Sequence, residues 1–350
     1  MKRKADQHPE IGDRTRKILH DLIDEYIHTG FPVGSQTLAR KGGIDLSPAT
    51  LRNVMGELEE MGYLLQPHVS AGRVPTEKAL RFYVDSILEV RNLSRAEKER
   101  IRQHYTYTEG ELTDLLKETS QILSAISKNI SVVVIPKFIY TVFKLIEFIN
   151  VSRNRILVIF VSENGVVQNK IVEVEEDIAQ ADLDTYARYL NELLQGLTLQ
   201  EARKKLIEEM QKEKNSYDLL CAKALALSKK ALETDEATEI YVDGTLNLLE
   251  YPEFAEVKKM KRIIQAIEEK ERLLKLLNKA MAAQGVQIFI GSENELQDME
   301  SCSLITSTYS KENHTLGALG VIGPTRMDYE KIIPIVDYTA QMVSKMLDWK

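Results

Sequence analysis

The sequence predicts a multidomain α+β protein. It has an N-terminal winged helix-turn-helix, then an α+β sheet domain interrupted by a mainly helical insertion. Three observations carry this reading. At 350 residues the chain exceeds one ordinary domain. Its first 90 residues hold three helical patterns, the third followed at once by a short hairpin. Strand-like runs occur between 131 and 174 and again between 286 and 322, with a helical block between them. The domains are therefore expected at 1–90, at 91–175 with 251–350, and, for the insertion, at 176–250.

In chain order, Asp13 to Thr29 carries Ile18, Leu19, Leu22, Ile23, Tyr26 and Ile27 at helical spacing, and Gly30 stops it. Phe31 to Gly34 makes a turn. A short helix from Ser35 follows, with Leu38 and Ala39 inward, ending at Gly42-Gly43. The stretch Ser47 to Thr76 is the centre of the reading. Ser47 caps a helix and Pro48 takes its first position, where a missing N–H is harmless. Leu51, Val54, Met55, Leu58 and Met61 form one apolar stripe, and Gly62 ends the helix. Tyr63, Leu64 and Leu65 start a short strand. A polar loop with His68, Ser70, Gly72 and Arg73 returns through Val74.

A helix with hydrogen-bonding residues at its exposed N-terminal end, joined to a hairpin with a basic tip, points to DNA. Ala49, Thr50, Arg52 and Asn53 are expected to face base edges in the major groove, where Arg suits guanine and Asn suits adenine. Ser35, Gln36 and Ser47 lie at helix N-termini, which suit phosphate. Arg73, with His68 and Ser70, is expected to place the hairpin tip on the backbone or in the minor groove. The competing reading of the same stretch is a small helical domain that binds another protein.

Thr76 to Val90 reads as a further amphipathic helix, 92–102 as a charged linker or exposed helix, and Glu111 to Ile130 as a helix. Strands are expected at 131–135, 141–149, 155–161 and 166–174, with Asn164-Gly165 as a hairpin turn. They should share one mostly antiparallel sheet with 286–290, 302–309 and 316–322. The insertion carries helices at 182–194, 199–212 (capping box Thr198 and Glu201) and 217–232. It ends in a hairpin turning at Asp243-Gly244. A long helix, Phe254 to Ala283, returns to the sheet, and a helix from Asp328 to Leu347 closes the chain. Apolar helical faces without chemistry of their own suggest that the insertion serves oligomerisation.

Net charge is −7, but it is unevenly spread: residues 1–100 hold 16 Lys and Arg against 15 Asp and Glu, and the rest 30 against 38. A near-neutral N-terminal domain can still present a local basic face. No apolar run reaches the roughly 20 residues that span a bilayer. The charged N-terminus lacks a secretory segment, so a cytoplasmic protein without membrane association is expected. Cys221 and Cys302 are expected to be reduced structural thiols. There is no Walker loop, nucleotide Gly fingerprint, zinc-ligand cluster or nucleophile elbow, so neither catalysis nor a cofactor is expected. In the one Gly-rich loop beside a basic residue, Gly317 to Tyr329, Arg326 is expected to anchor the last helix to the sheet.

The segments RTRKILHDLIDEYIHTGFPVGSQTLARKGGIDLSPATLRNVMGELEEMGYLLQPHVSAGRVPTEKALRFYVD and LGALGVIGPTRMDYEKIIPIVDYTA closely resemble the bacterial heat-inducible transcription repressor HrcA family. The resemblance extends over the whole chain in order and length, and SAGRVPT and GPTRMDY are specific to that family. It implies a winged helix, a GAF-like domain and a dimerising domain inserted into it. It also implies a homodimer on double-stranded operator DNA, the inverted repeat CIRCE upstream of chaperone operons. Activity would be maintained by the GroEL chaperonin and lost on heat shock. A metabolite sensor using the GAF-like domain is the alternative.

Overall fold

A computed structural model describes residues 11–41, 46–69, 71–88, 91–105, 112–134, 142–163, 167–174, 177–197, 199–212, 240–283, 285–294, 296–311 and 314–348. The chain separates into two compact units. The first takes the described residues of Met1–Val133, Tyr241–Thr308 and Ala318–Met342; the second takes those of Val134–Ile240, Tyr309–Gly317 and Val343–Lys350.

The first unit opens with three helices, α1 (Asp13–Thr29), α2 (Ser35–Arg40) and α3 (Pro48–Glu60). A hairpin of β1 (Leu64–Leu65) and β2 (Val74–Pro75) follows, then α4 (Glu77–Phe82). The apolar stripes meet in one core: Ile18, Leu19, Leu22 and Ile23 of α1, Leu38 of α2, Leu51 and Leu58 of α3, and Tyr63 are all buried. Each such side chain contributes about 1.5–3 kcal/mol on leaving water. Beyond α4 the helix widens into a π turn over Tyr83–Ile87. The charged linker region is helical: α5 (Arg95–Gln103) starts in a capping box of Ser94 and Glu97. The Gly42-Gly43 stop lies outside the described residues.

The sheet of this unit has five strands, in the order β7 (Ile240–Asp243), β3 (Ile130–Val134), β10 (His314–Pro324), β9 (Cys302–Lys311) and β8 (Gln287–Ile290). β3 runs antiparallel to β10, with Gly320 opposite Val132, and β8 antiparallel to β9, with Ile288 opposite Ile305. Helices α6 (Leu112–Ser127), α9 (Val257–Glu268), α10 (Lys270–Ala282) and α11 (Tyr329–Asp348) complete the architecture. Cys302 is a free thiol that burial pushes up to about 12, as expected of a structural cysteine; Cys221 lies outside the described residues.

Three sequence expectations are corrected here. The strands of 141–174 do not join the five-stranded sheet. β4 (Phe143–Ser152), β5 (Arg155–Ser162) and β6 (Val167–Glu173) form an antiparallel sheet of their own. Asp243-Gly244 is not a hairpin turn: Gly244, at φ 75°, turns β7 into a 3-10 segment, Thr245–Glu250. The long helix expected from Phe254 to Ala283 is two, broken at Glu269, whose ψ of 77° is not helical. Asn164-Gly165, the Thr198 cap and the 217–232 helix lie outside the described residues.

In the second unit, α7 (Gln180–Leu194) and α8 (Leu199–Lys212) cover one face of the β4-β5-β6 sheet. Phe143, Ile146, Phe148, Val158 and Phe160 pack there against Leu183, Tyr186, Leu190 and Leu206. The outer edge of β4 is closed by side-chain amides of α7. Asn191 accepts from Ile146 N at 2.8 Å and donates to its carbonyl at 3.1 Å. Gln180 accepts from Asn150 N at 2.9 Å and donates to Phe148 O at 2.8 Å. An edge answered in this way is a poor template for a further strand. The opposite face carries rows set by register: Ile149, Leu157 and Ile171 stand side by side, and Leu145, Val161 and Val167 form another row. Ile149 and Ile171 are 42% and 46% exposed.

No described helix is long and apolar enough to cross a membrane, and no group of three or more His, Cys, Asp or Glu among the described residues could hold a metal ion.

Candidate nucleic-acid interface

Helix α3 starts as its sequence dictates. Ser47 is extended (φ −66°, ψ 151°), its Oγ accepts from Thr50 N at 3.2 Å, and Pro48 follows. The two hydroxyls, Ser47 Oγ and Thr50 Oγ1, lie 2.9 Å apart. With Leu51, Met55 and Leu58 buried, the helical period turns Ala49, Arg52 and Asn53 to solvent on the opposite side, and all three are exposed. Thr50 is half-buried at the margin of that face.

Helix α2 begins at Ser35 as expected, with Gly34 as its capping residue, and Ser35 is buried at that first helical position. Its side chain is withdrawn from any phosphate. Gln36, one position on, is exposed.

The hairpin beside α3 is built on a close backbone approach. Val33, from the turn before α2, exchanges two backbone hydrogen bonds with Arg73, each 2.8 Å. A Cβ at residue 72 would collide with the Val33 carbonyl, so only glycine lets this bridge form. Gly72→Ala should destabilise the protein by about 1–3 kcal/mol, the range for forced overpacking. A urea titration giving the wild-type midpoint would show that the loop relaxes around the methyl. At the tip, Gln66 Nε2 donates to Val69 O at 2.9 Å and to Ala71 O at 3.0 Å, and Ala71 N donates to His68 O at 2.9 Å. His68 is exposed, and Val69 is 98% exposed. Ser70 lies outside the described residues.

Arg73 is not at the tip. It sits at the base of the hairpin, 17% exposed, with Nε 2.8 Å from Glu59 Oε2 of α3. Its charge ties hairpin to helix. Lys78 does similar work, donating to Met61 O at 2.7 Å and lying 4.5 Å over the Tyr63 ring. Lys41 pairs with Asp24 at 2.6 Å and Glu25 at 3.1 Å. Burial pulls its ammonium down, but the two carboxylates outweigh that and hold it above the usual lysine value. Ala49, Arg52, Asn53 and the tip residues His68 and Val69 thus form the exposed set, framed by Gln36 and Ser47. Sequence reasoning missed Gln66, Glu59 and Val69. Only Gly72, inside a small-residue loop, carried a local signal.

Comparisons with known proteins place the chain in a family. The family model for the HrcA protein C terminal domain matches residues 113–333. The chain is 49% identical over 339 residues to the heat-inducible transcription repressor HrcA of Geobacter sulfurreducens, covering 97% of this chain and 99% of that one. It is 44% identical over 341 residues to the HrcA of Syntrophobacter fumaroxidans, covering 97% and 98%. A crystal structure of a hypothetical protein shares the fold at a TM-score of 0.63 and 23% identity, covering 97% of this chain and 99% of that one. Relatives of this kind are repressors of transcription, not enzymes. The chain belongs to the HrcA family of heat-inducible transcription repressors.

Proposed function

We propose that the three-helix bundle and its hairpin form a winged helix-turn-helix that represses heat-shock operons by binding an inverted-repeat operator, CIRCE, as a homodimer in the cytoplasm. One observation carries this reading: the exposed face of α3 presents Ala49, Arg52 and Asn53 directly before a braced hairpin. Helix α3 enters the major groove, where Arg52 suits guanine and Asn53 suits adenine. Gln36 and the Ser47 end of α3 meet phosphate, and His68 and Val69 at the wing tip lie along the backbone or minor groove.

The five-stranded sheet is read as the GAF-like domain and the β4-β5-β6 unit as the dimerising insertion, which then begins near residue 134 rather than 176. The solvent-facing side of that sheet supports a second copy as its occupant. It carries two apolar rows with the Glu147, Ile159 and Asn169 row between them, and an inverted repeat calls for a two-fold protein. The closed β4 edge directs association to the face rather than to strand addition.

We further propose that GroEL keeps the repressor active and that heat shock, by occupying the chaperonin with unfolded chains, releases the operons. Titrating operator with purified protein, with and without chaperonin and across temperature, tests this. Chaperonin should raise the fraction able to bind, with the effect growing on warming. An active fraction that chaperonin leaves unchanged at every temperature would remove GroEL from the account.

A further inference from the structure

The DNA-contacting bundle is fastened to the sheet domain of its own unit at two places. At the first, Arg326 of the GPTRMDY stretch does not anchor α11 to the sheet as expected. Tyr329 does that, its buried hydroxyl donating to Thr325 O at 2.7 Å and lying 2.7 Å from Ser303 Oγ. Arg326 reaches outward. Its Nη1 donates to Ile27 O at 2.9 Å, in the last turn of α1, where carbonyls lack helical partners. Nε and Nη2 donate to the two oxygens of Glu253, at 2.5 and 3.0 Å. The guanidinium stands 5.4 Å over the Tyr251 ring and against Gly30, the left-handed residue that ends α1. Its side chain is 11% exposed. Burial, with the nearby Glu253 carboxylate, raises the pKa of Tyr26 beside it.

The second fastening is on α4. Arg81 donates to both oxygens of Glu293 and, at 2.7 Å, to Ile288 O, while Ser292 Oγ donates to Glu77 at 2.5 Å. One fastening would leave a pivot, and two fix an orientation. Arg, with a planar fork of donors, holds an angle that a lysine ammonium does not.

We infer that Arg326, held by Glu253, is a positioning residue for operator recognition: it sets the angle of the DNA-contacting bundle on the sheet domain, and with it the half-site spacing the dimer accepts. This rests on the proposed reading of an inverted-repeat operator bound by a dimer. The residue touches no DNA. Its effect is on the relation between two half-sites, which turn with the duplex once every 10–10.5 bp.

The test measures affinity for three kinds of duplex: the natural operator, operators with the spacer changed by one or two base pairs, and a single half-site. Full-length wild type, Arg326→Ala, Arg326→Lys and Glu253→Gln are compared. Wild type should lose about tenfold or more on a changed spacer, because the fixed angle no longer fits both half-sites. Arg326→Ala and Glu253→Gln should bind the natural operator about tenfold more weakly and lose most of that spacer preference, with half-site affinity within about twofold of wild type. Arg326→Lys, which keeps the charge but not the fork, should resemble Arg326→Ala. Retention of the wild-type spacer preference in Arg326→Ala and Glu253→Gln would overturn the inference. So would loss of half-site binding in both, since the residue would then serve the bundle itself. A wild type indifferent to spacing would instead sink the inverted-repeat reading beneath it.

Discussion

Glutamate at both Ile149 and Ile171 is expected to leave a folded monomer whose affinity for the two-site operator falls about 10²–10⁴-fold, the range lost when two linked binding events become one. Both residues are nearly half exposed, on strands that flank β5, and Leu157 stands between them. The core lies on the other face, where Ile156, Val158 and Phe160 meet α7, so the substitutions spare it. In a two-fold interface each carboxylate recurs on the partner, so charges of one sign are brought together and desolvated, at a penalty of several kcal/mol. Sedimentation should report the monomer, and a single half-site should be bound as well as before. A dimer that survives the double substitution would place the interface elsewhere in the chain.

Arg52→Ala is expected to weaken specific binding by about 1–3 kcal/mol for each half-site, and to make one base pair in each indifferent to substitution. Binding to random DNA should change little. The effect is large because an exposed arginine on α3 can make two hydrogen bonds to one guanine, and alanine makes none. Arg73→Ala gives a contrasting outcome. Had Arg73 stood at the wing tip, its loss would flatten the salt dependence for every sequence. With its guanidinium on Glu59, the substitution should loosen the hairpin from α3 and leave the salt slope near wild type. Equal losses on specific and random DNA from Arg52→Ala would remove that residue from base reading.

What the sequence disclosed was what local chemistry decides. The Ser47 cap, the Pro48 start and the Leu51-Met55-Leu58 stripe are short-range features, and they place the exposed face of α3 without further help. What it hid depends on partners distant in the chain. Arg73 looks like a tip cation until Glu59 is seen across from it. Ser35 looks like a phosphate ligand until packing buries it. Strands at 143–173 and 286–322 have the same period-2 texture, and nothing local says that they belong to different sheets. Asp-Gly at 243–244 is a strong turn signal, but it opens a 3-10 segment because β7 pairs with β3 and not with the residues that follow. The break at Glu269 has no glycine or proline to announce it. Arg326 was legible as an anchor but not as an anchor of α1, nearly 300 positions earlier in the chain.

The Arg326 and Arg81 fastenings should hold on warming, since the desolvation penalty of paired charges falls as temperature rises.

The most direct measurement is the affinity of the protein for the proposed inverted-repeat operator against a scrambled duplex of the same length, at one fixed salt concentration. A repressor that reads bases through α3 should prefer the repeat by about 10³-fold or more. Equal affinity for the two duplexes would contradict the assignment of α3 and its hairpin as the reading surface.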